Sequence, residues 1–292
     1  TFKAAALSVH ALNSPTWKSK KHAEQWLSSL ELHVFPIIGE KAVSNLTSND
    51  VLLVLSPLWV NKNDTAKKLR QRIRMVVKWA RAKGYFSGDD PVELAEQALP
   101  RVKTNNSHFK AVNFIELPQI IQRLHNSKIS SSTKLALEFL IITACRTTEV
   151  LGANWSEIQY GKQTWLIPAE RMKAGRAHEV PITARMLDIL KEAETLCQKN
   201  SLIFPSQING RALSNNTLRI ALQKRLNVDA TVHGMRSSFK DWVSETTTYA
   251  NEVSEMALGH SISSKVEAAY RRGNLLEKRR QLMEDWSNFL LG

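Results

Sequence analysis

The chain has 292 residues, long enough for one large domain or, more naturally, two. Its apolar fraction of 43% suits an ordinary packed core, and no apolar run is long enough to cross a membrane. Forty Lys and Arg against 27 Asp and Glu give a net charge of +13, which points to a polyanionic partner, most simply nucleic acid.

The start at Thr1 carries no signal-peptide pattern and reads as the start of a piece of a longer protein. Cys145 and Cys197 lie far apart without metal-ligand spacing, so two buried free thiols in a reducing, cytoplasmic setting are expected.

Residues 1–100 are expected to be helical. Trp26, Leu27, Leu30 and Val34 recur at helical spacing, and Pro36 and Gly39 are expected to end that helix. Leu46 to Asp50 reads as a turn and N-cap before the apolar run Val51–Leu55. From Thr65 to Gly84 one helix face carries Leu69, Ile73, Val76, Val77 and Ala80. The remainder carries Lys67, Lys68, Arg70, Arg72, Arg74, Lys78, Arg81 and Lys83 with no acid among them. Most charged helix faces are simply solvated. This many cations without a local anion favour a surface that meets phosphate, with Lys67, Lys68, Arg70, Arg74, Lys78 and Arg81 as candidate DNA-binding residues.

Pro100 to Val112 lacks apolar periodicity and is the expected linker. Residues 1–110 carry 17 Lys and Arg against 9 Asp and Glu, and the rest carries 23 against 18, so the smaller part is the more densely positive. Beyond the linker, Ser132–Thr143 reads as a buried helix that runs into T-A-C-R-T-T-E, with Glu149 placed to pair with Arg146. Such a pair is either structural or a means of orienting Arg146 towards a phosphate, and taken alone the structural role is the commoner. Gln163–Pro168 and His178–Thr183 read as a β-hairpin with Lys173 near its tip. His178, close by, is a residue that could shape the hairpin. Helices are expected over Ala184–Cys197, Asn215–Asn227, His233–Glu245, Asn251–Leu258 and Glu277–Leu290. The last carries Leu282, Met283, Trp286, Phe289 and Leu290, too many apolar residues for a free tail, and is expected to dock on a neighbouring protomer.

The stretch from His233 to Tyr270 organises the second half. It reads H-G-M-R, then L-G-H, then a tyrosine ten residues on, and supplies His233, Arg236, His260 and Tyr270. Arginine offers phosphate a planar fork of donors, histidine carries a proton near neutral pH, and a tyrosine hydroxyl can attack phosphorus. Each piece alone has a bland alternative: Tyr270 as a half-buried aromatic, and Arg271 and Arg272 with Lys278, Arg279 and Arg280 as a plain basic face.

Together these residues resemble the tyrosine recombinases, the phage-type integrases. The family's Arg in a T-G-x-R-x-x-E setting, hairpin Lys, H-x-x-R, L-G-H and Tyr are matched in order by Arg146 with Glu149, Lys173, His233 with Arg236, Gly259-His260 and Tyr270. Ala144 departs from the usual glycine. The tail A-A-Y-R-R-G-N-L-L-E-K-R-R is most like that of the P4-type integrases of prophages and genomic islands. The resemblance implies a mainly α protein with a small β-hairpin or sheet, in two domains. Residues 1–105 would be an all-α core-type DNA-binding domain, and 112–292 an α+β catalytic domain. An arm-binding domain, which relatives carry ahead of these, is not matched by anything in the sequence.

It further implies the chemistry. Tyr270 would attack the scissile phosphate and form a 3′-phosphotyrosyl link. Arg146 and Arg236 would hold the non-bridging oxygens, Lys173 would protonate the leaving 5′-oxygen, and His233 would act as acid or base. His260 would bond the phosphate, with Glu149 in support. No metal or other cofactor is called for. Implied partners are double-stranded DNA attachment sites, three further copies of the chain on DNA from a monomer in solution, and accessory DNA-bending or directionality factors. The implied setting is the cytoplasm of a bacterium, at the nucleoid. Two other classes share these residues: a type IB topoisomerase-like enzyme, disfavoured by a last helix meant for a neighbour, and a DNA-binding regulator without catalysis, disfavoured because every catalytic position is filled.

Overall fold

The computed structural model describes residues 1–17, 20–102, 109–196, 201–260 and 273–292. Thr1–Asn106 forms one folding unit and Ser107–Gly292 another. No described helix is long and apolar enough to cross a membrane.

The first unit is built from α1 (Phe2–Asn13), α2 (Lys20–His33), α3 (Phe35–Ile38), α4 (Ser48–Trp59), α5 (Asn63–Ala82) and α6 (Pro91–Ala98). Thr47 starts α4 with a capping box: its hydroxyl accepts from Asp50 N at 3.3 Å, and the Asp50 carboxylate accepts from Thr47 N at 2.8 Å. α2 ends at His33, ahead of the expected stop. Pro36 instead sits in the first turn of the separate helix α3, where its missing N–H is not needed. Along α5, Ala66, Leu69, Ile73, Val76, Val77 and Ala80 are all buried, as their spacing requires. Gly84, at φ +73°, closes α5: Tyr85 N donates to Ala80 O and Gly84 N to Arg81 O, the paired bonds of a Schellman motif. The expected linker spans the unit boundary, and its middle, residues 103–108, lies outside the described residues.

The second unit contains α7 (Leu117–His125), α8 (Ser131–Thr143) and α9 (Thr147–Leu151). A small sheet of β1 (Ile158–Gln159), β2 (Thr164–Ile167) and β3 (His178–Pro181) follows. Next come α10 (Ala184–Leu196), α11 (Asn215–Ile220), α12 (Met235–Thr246), α13 (Asn251–Ala257) and α14 (Leu276–Leu291). The sheet is antiparallel in the order β1-β2-β3, with Trp165 opposite Val180 and Ile167 opposite His178. β1 has two residues, too short to leave an alternating pattern in the sequence. α8 is buried nearly all round and forms the centre of this core. The helix expected over Asn215–Asn227 changes character at Ala221, where a π-helical turn runs to Arg225 before Asn227 turns left-handed at φ +50°.

The last helix corrects an expectation. Leu282, Met283, Trp286 and Leu290 are at most 1% exposed within their own chain. α14 packs against α7, α8, α13 and β3. Trp286 Nε1 donates to Ile141 O in α8 at 3.1 Å, and Phe289 stacks on Trp286 with ring centres 5.7 Å apart. Buried Arg279 donates to Asn274 O at 2.9 Å and to Glu179 O in β3. Apolar residue counting shows that a helix must be covered, but not whose surface covers it; here the cover is the chain's own core.

Candidate active site

The turn between α8 and α9 sets the first arginine. Ala144 adopts a left-handed conformation, φ 49° and ψ 24°, where a glycine is unstrained. This explains why the related pattern has glycine there. The turn swings Arg146 to the N-terminus of α9, where the buried Glu149 carboxylate accepts from both Arg146 N and Arg146 Nη1 at 2.8 Å. The pair expected from the sequence therefore forms. It leaves the Arg146 side chain 20% exposed and aimed by a fixed anion. Cys145, between them, is buried, and burial first, with Glu149 next, pushes its thiol up to about 12; it is inert at neutral pH.

α12 sets the second arginine. Arg236 is buried and donates to Ala144 O, to Leu258 O at 2.7 Å and to His260 Nε2 at 3.1 Å. It thereby ties the turn that carries Arg146 to the L-G-H turn. The glycine of H-G-M-R is forced by close approach: a Cβ on Gly234 would lie 2.1 Å from Lys110 O. His233 precedes it, exposed, with its ring edge on Phe109 at 4.6 Å. Partial burial, and then the charges of Arg236 and Arg146, lower the His233 pKa, so its imidazole is neutral at neutral pH and can accept a proton.

The L-G-H turn is a second Schellman motif at the end of α13. His260 N donates to Glu255 O and Gly259 N to Met256 O, both at 3.0 Å, with Gly259 at φ +61°. A side chain on Gly259 would meet Met172 at 3.1 Å and the His178 ring at 3.3 Å. His178, in β3, donates Nε2–H to Ala257 O at 3.2 Å. Burial first, then Arg279, drops its pKa to about 4, so it is a neutral strut between hairpin and turn. Met172, Arg176, His178, His260 and Arg279 line a cavity of ≈ 320 Å³ beside it.

Lys173 lies exposed on the loop joining β2 to β3, as expected, and the base of that loop is anchored. Arg171 donates to the Glu157 carboxylate and to Glu149 O, so the hairpin is braced against the same helix that holds Arg146. Arg171, Lys240, Glu255 and Arg279 were not anticipated. Each has a partner 14 or more residues away in sequence, Arg171 with Glu157, Lys240 with Glu255 and Arg279 with Glu179, and no local spacing reveals such pairs. Tyr270, with Arg271 and Arg272, lies outside the described residues. Tyr249, which lies between the H-G-M-R and L-G-H motifs, is engaged elsewhere. Its hydroxyl donates to Asp285 in α14, and burial together with that carboxylate pushes its pKa up to about 12.

The candidate DNA-binding residues of α5 behave in two ways. Arg70 and Arg74 share the Glu96 carboxylate, Arg74 also faces Asp90 at 3.9 Å, and Arg81 donates to Gly88 O. Lys67, Lys68 and Lys78 have no ion-pair partner among the described residues, and Lys68 and Lys78 are exposed.

Comparison with known proteins identifies the family. Residues 2–97 match the phage integrase central domain, and residues 110–275 match the phage integrase family. Prophage integrase IntA of Escherichia coli (strain K12) is 29% identical over 284 residues, covering 94% of this chain and 68% of the relative. The integrase of Enterobacteria phage P4 is 27% identical over 308 residues, covering 99% and 69%. Among solved structures, a lambda integrase tetramer bound to a Holliday junction superposes with a TM-score of 0.70 at 16% identity, over 93% of this chain and 77% of that one. The Tn1549 transposon integrase in complex with circular intermediate DNA gives 0.61 at 11% identity, over 91% and 99%. These two show a shared fold. Because the phage integrase family match spans more than half of it, the chain belongs to the phage integrase family and is a tyrosine-type site-specific recombinase.

Proposed function

We propose that this recombinase binds double-stranded DNA at attachment sites and cleaves it by attack of the Tyr270 hydroxyl on the scissile phosphate, leaving a 3′-phosphotyrosyl link and a free 5′-hydroxyl. Arg146 and Arg236 bind the non-bridging oxygens, where negative charge grows in the transition state. His233, neutral at neutral pH, accepts the proton of the attacking hydroxyl. Lys173 protonates the departing 5′-oxygen. His260 bonds the phosphate, and Glu149 steadies Arg146. The covalent link conserves the bond, so another strand's 5′-hydroxyl can reverse the step on a new partner and thereby integrate or excise a mobile element.

The observation that carries this reading is the joining of the two arginines: buried Arg236 donates to Ala144 O in the turn that carries Arg146, and to Leu258 O and His260 Nε2 in the L-G-H turn, while Glu149 aims Arg146. So dense a cluster of donors suits an anion. Residues 1–105 serve as the core-type DNA-binding domain and 112–292 as the catalytic domain. In the first, Lys67, Lys68 and Lys78 meet phosphate, while Arg70, Arg74 and Arg81 contribute through the face they brace. Recombination takes place in a homotetramer assembled on DNA from monomers, with accessory factors setting direction. α14 is already covered in its own chain, so the contacts between copies use other surfaces.

The test is a nicked suicide duplex spanning the junction of the element and host DNA. The wild-type chain should form a covalent adduct that mass spectrometry maps to the Tyr270 peptide. Tyr270→Phe should form none, whereas Tyr249→Phe should still form it. An adduct that survives Tyr270→Phe, or that maps to Tyr249, overturns the mechanism.

A further inference from the structure

His260 is held from two sides, and the two sides dictate where its proton is. Arg236 has donors only, so His260 Nε2, 3.1 Å from Arg236 Nη2, must be the acceptor. The ring proton then sits on Nδ1, which donates to Glu255 Oε2 at 2.7 Å. Glu255 is itself fixed. Its other oxygen is 2.9 Å from Lys240 Nζ, and Lys240 also bonds Asn251 and Ser254 Oγ. Its backbone carbonyl receives His260 N, so one residue grips His260 by both main chain and side chain.

This arrangement conflicts with the role assigned to His260 above. A neutral ring with its Nε2 lone pair occupied by Arg236 cannot donate to a phosphate. It becomes a donor at Nε2 only by taking up a second proton. Arg236 lies against the ring, Lys240 bonds the same Glu255 carboxylate, and Arg176, His178 and Arg279 line the cavity beside it. Glu179, also at the cavity, is bound to Asn274. Among the described residues, Glu255 is the one carboxylate hydrogen-bonded to the ring.

We propose that Glu255 is a positioning residue for strand cleavage. It fixes His260 with its proton on Nδ1 and supplies the negative charge that lets Nε2 accept a second proton, turning His260 from the acceptor of Arg236 into a phosphate donor. The proton comes from solvent as the phosphate anion enters, and the Nδ1–H···Glu255 bond persists throughout. The reaction role rests on the recombinase mechanism above; the tautomer does not.

The experiment uses the full chain labelled with ¹⁵N-histidine, with His260 assigned by comparison with His260→Gln. Long-range ¹H–¹⁵N spectra should show the proton on Nδ1 at neutral pH. Glu255→Gln keeps an acceptor oxygen and should keep that tautomer, but should form the imidazolium about one pH unit or more lower, the size expected for loss of a contacting opposite charge. Glu255→Ala should lose the tautomer preference. A proton on Nε2 in the wild-type chain, or an unchanged titration in Glu255→Gln, overturns the proposal. On the suicide duplex, the alkaline limb of the adduct-forming rate should move to lower pH in Glu255→Gln. An unmoved limb refutes the reaction role. Failure of the wild-type chain itself to form adduct refutes the recombinase mechanism instead and leaves the tautomer result standing.

Discussion

The buried imidazole of His178 makes the second unit acid-sensitive in a way that can be calculated. Its pKa falls from 6.5 in the unfolded chain to about 4 in the fold, chiefly by burial, with Arg279 next, while its bond to Ala257 O pulls the other way. Between these values the unfolded state binds a proton that the folded state refuses, so stability falls as the pH is lowered through that window. At about 1.4 kcal/mol per pH unit, the loss from pH 6.5 to pH 5 is about 2 kcal/mol, and the full window is worth about 3 kcal/mol. His178→Gln keeps an N–H for Ala257 O and removes the titration. Urea unfolding followed by hydrogen exchange on peptides of residues 109–292 would isolate this unit. The stability difference between wild type and variant should narrow or reverse in the variant's favour by about 2 kcal/mol between pH 7 and pH 5. Equal pH dependence in the two proteins would show that His178 is not held neutral, and the strut between hairpin and L-G-H turn would lose its electrostatic basis.

Three further outcomes are expected. A chain ending after Gly273 should fail to fold its second unit, read as lost protection from hydrogen exchange in α8, because Leu282, Met283, Trp286 and Leu290 complete that core. Ala144→Val should destabilise the unit by about 2 kcal/mol or more, since a β-branched residue is strained at positive φ. Ala144→Gly should be neutral within about 0.5 kcal/mol, because relieved strain offsets the lost methyl and the looser unfolded chain; thermal unfolding measures both. Replacing Lys68 and Lys78 with Ala should lower the salt slope of DNA binding by about one unit each without affecting stability. Arg70→Ala should instead weaken the first unit through loss of Glu96 pairing; an unchanged slope in the lysine variants would make α5 an ordinary solvated face.

Much of the fold was legible because it is local. The Thr47–Asp50 capping box, the apolar stripe of α5, the buried run of α8 and the hairpin with Lys173 in its loop each follow from residues close in sequence. So did the pairing of Arg146 with Glu149, three residues apart on one helical turn. The motif order was enough for the family, because each motif occupies one short segment. What the sequence by itself determined, then, was most of the longer elements, the two-part organisation and the chemical types brought to the site. Tertiary structure decided whose core covers α14, that Arg70 and Arg74 are spoken for by Glu96, and that Tyr249 is bound to Asp285. It also decided the proton on His260, because Arg236 and Glu255 reach that ring from two different helices. The physical reason is the same each time. Periodicity and capping report which face of an element must be buried, whereas the partner of a charge or an apolar face is chosen by chain segments far apart in sequence, and no local pattern encodes that choice.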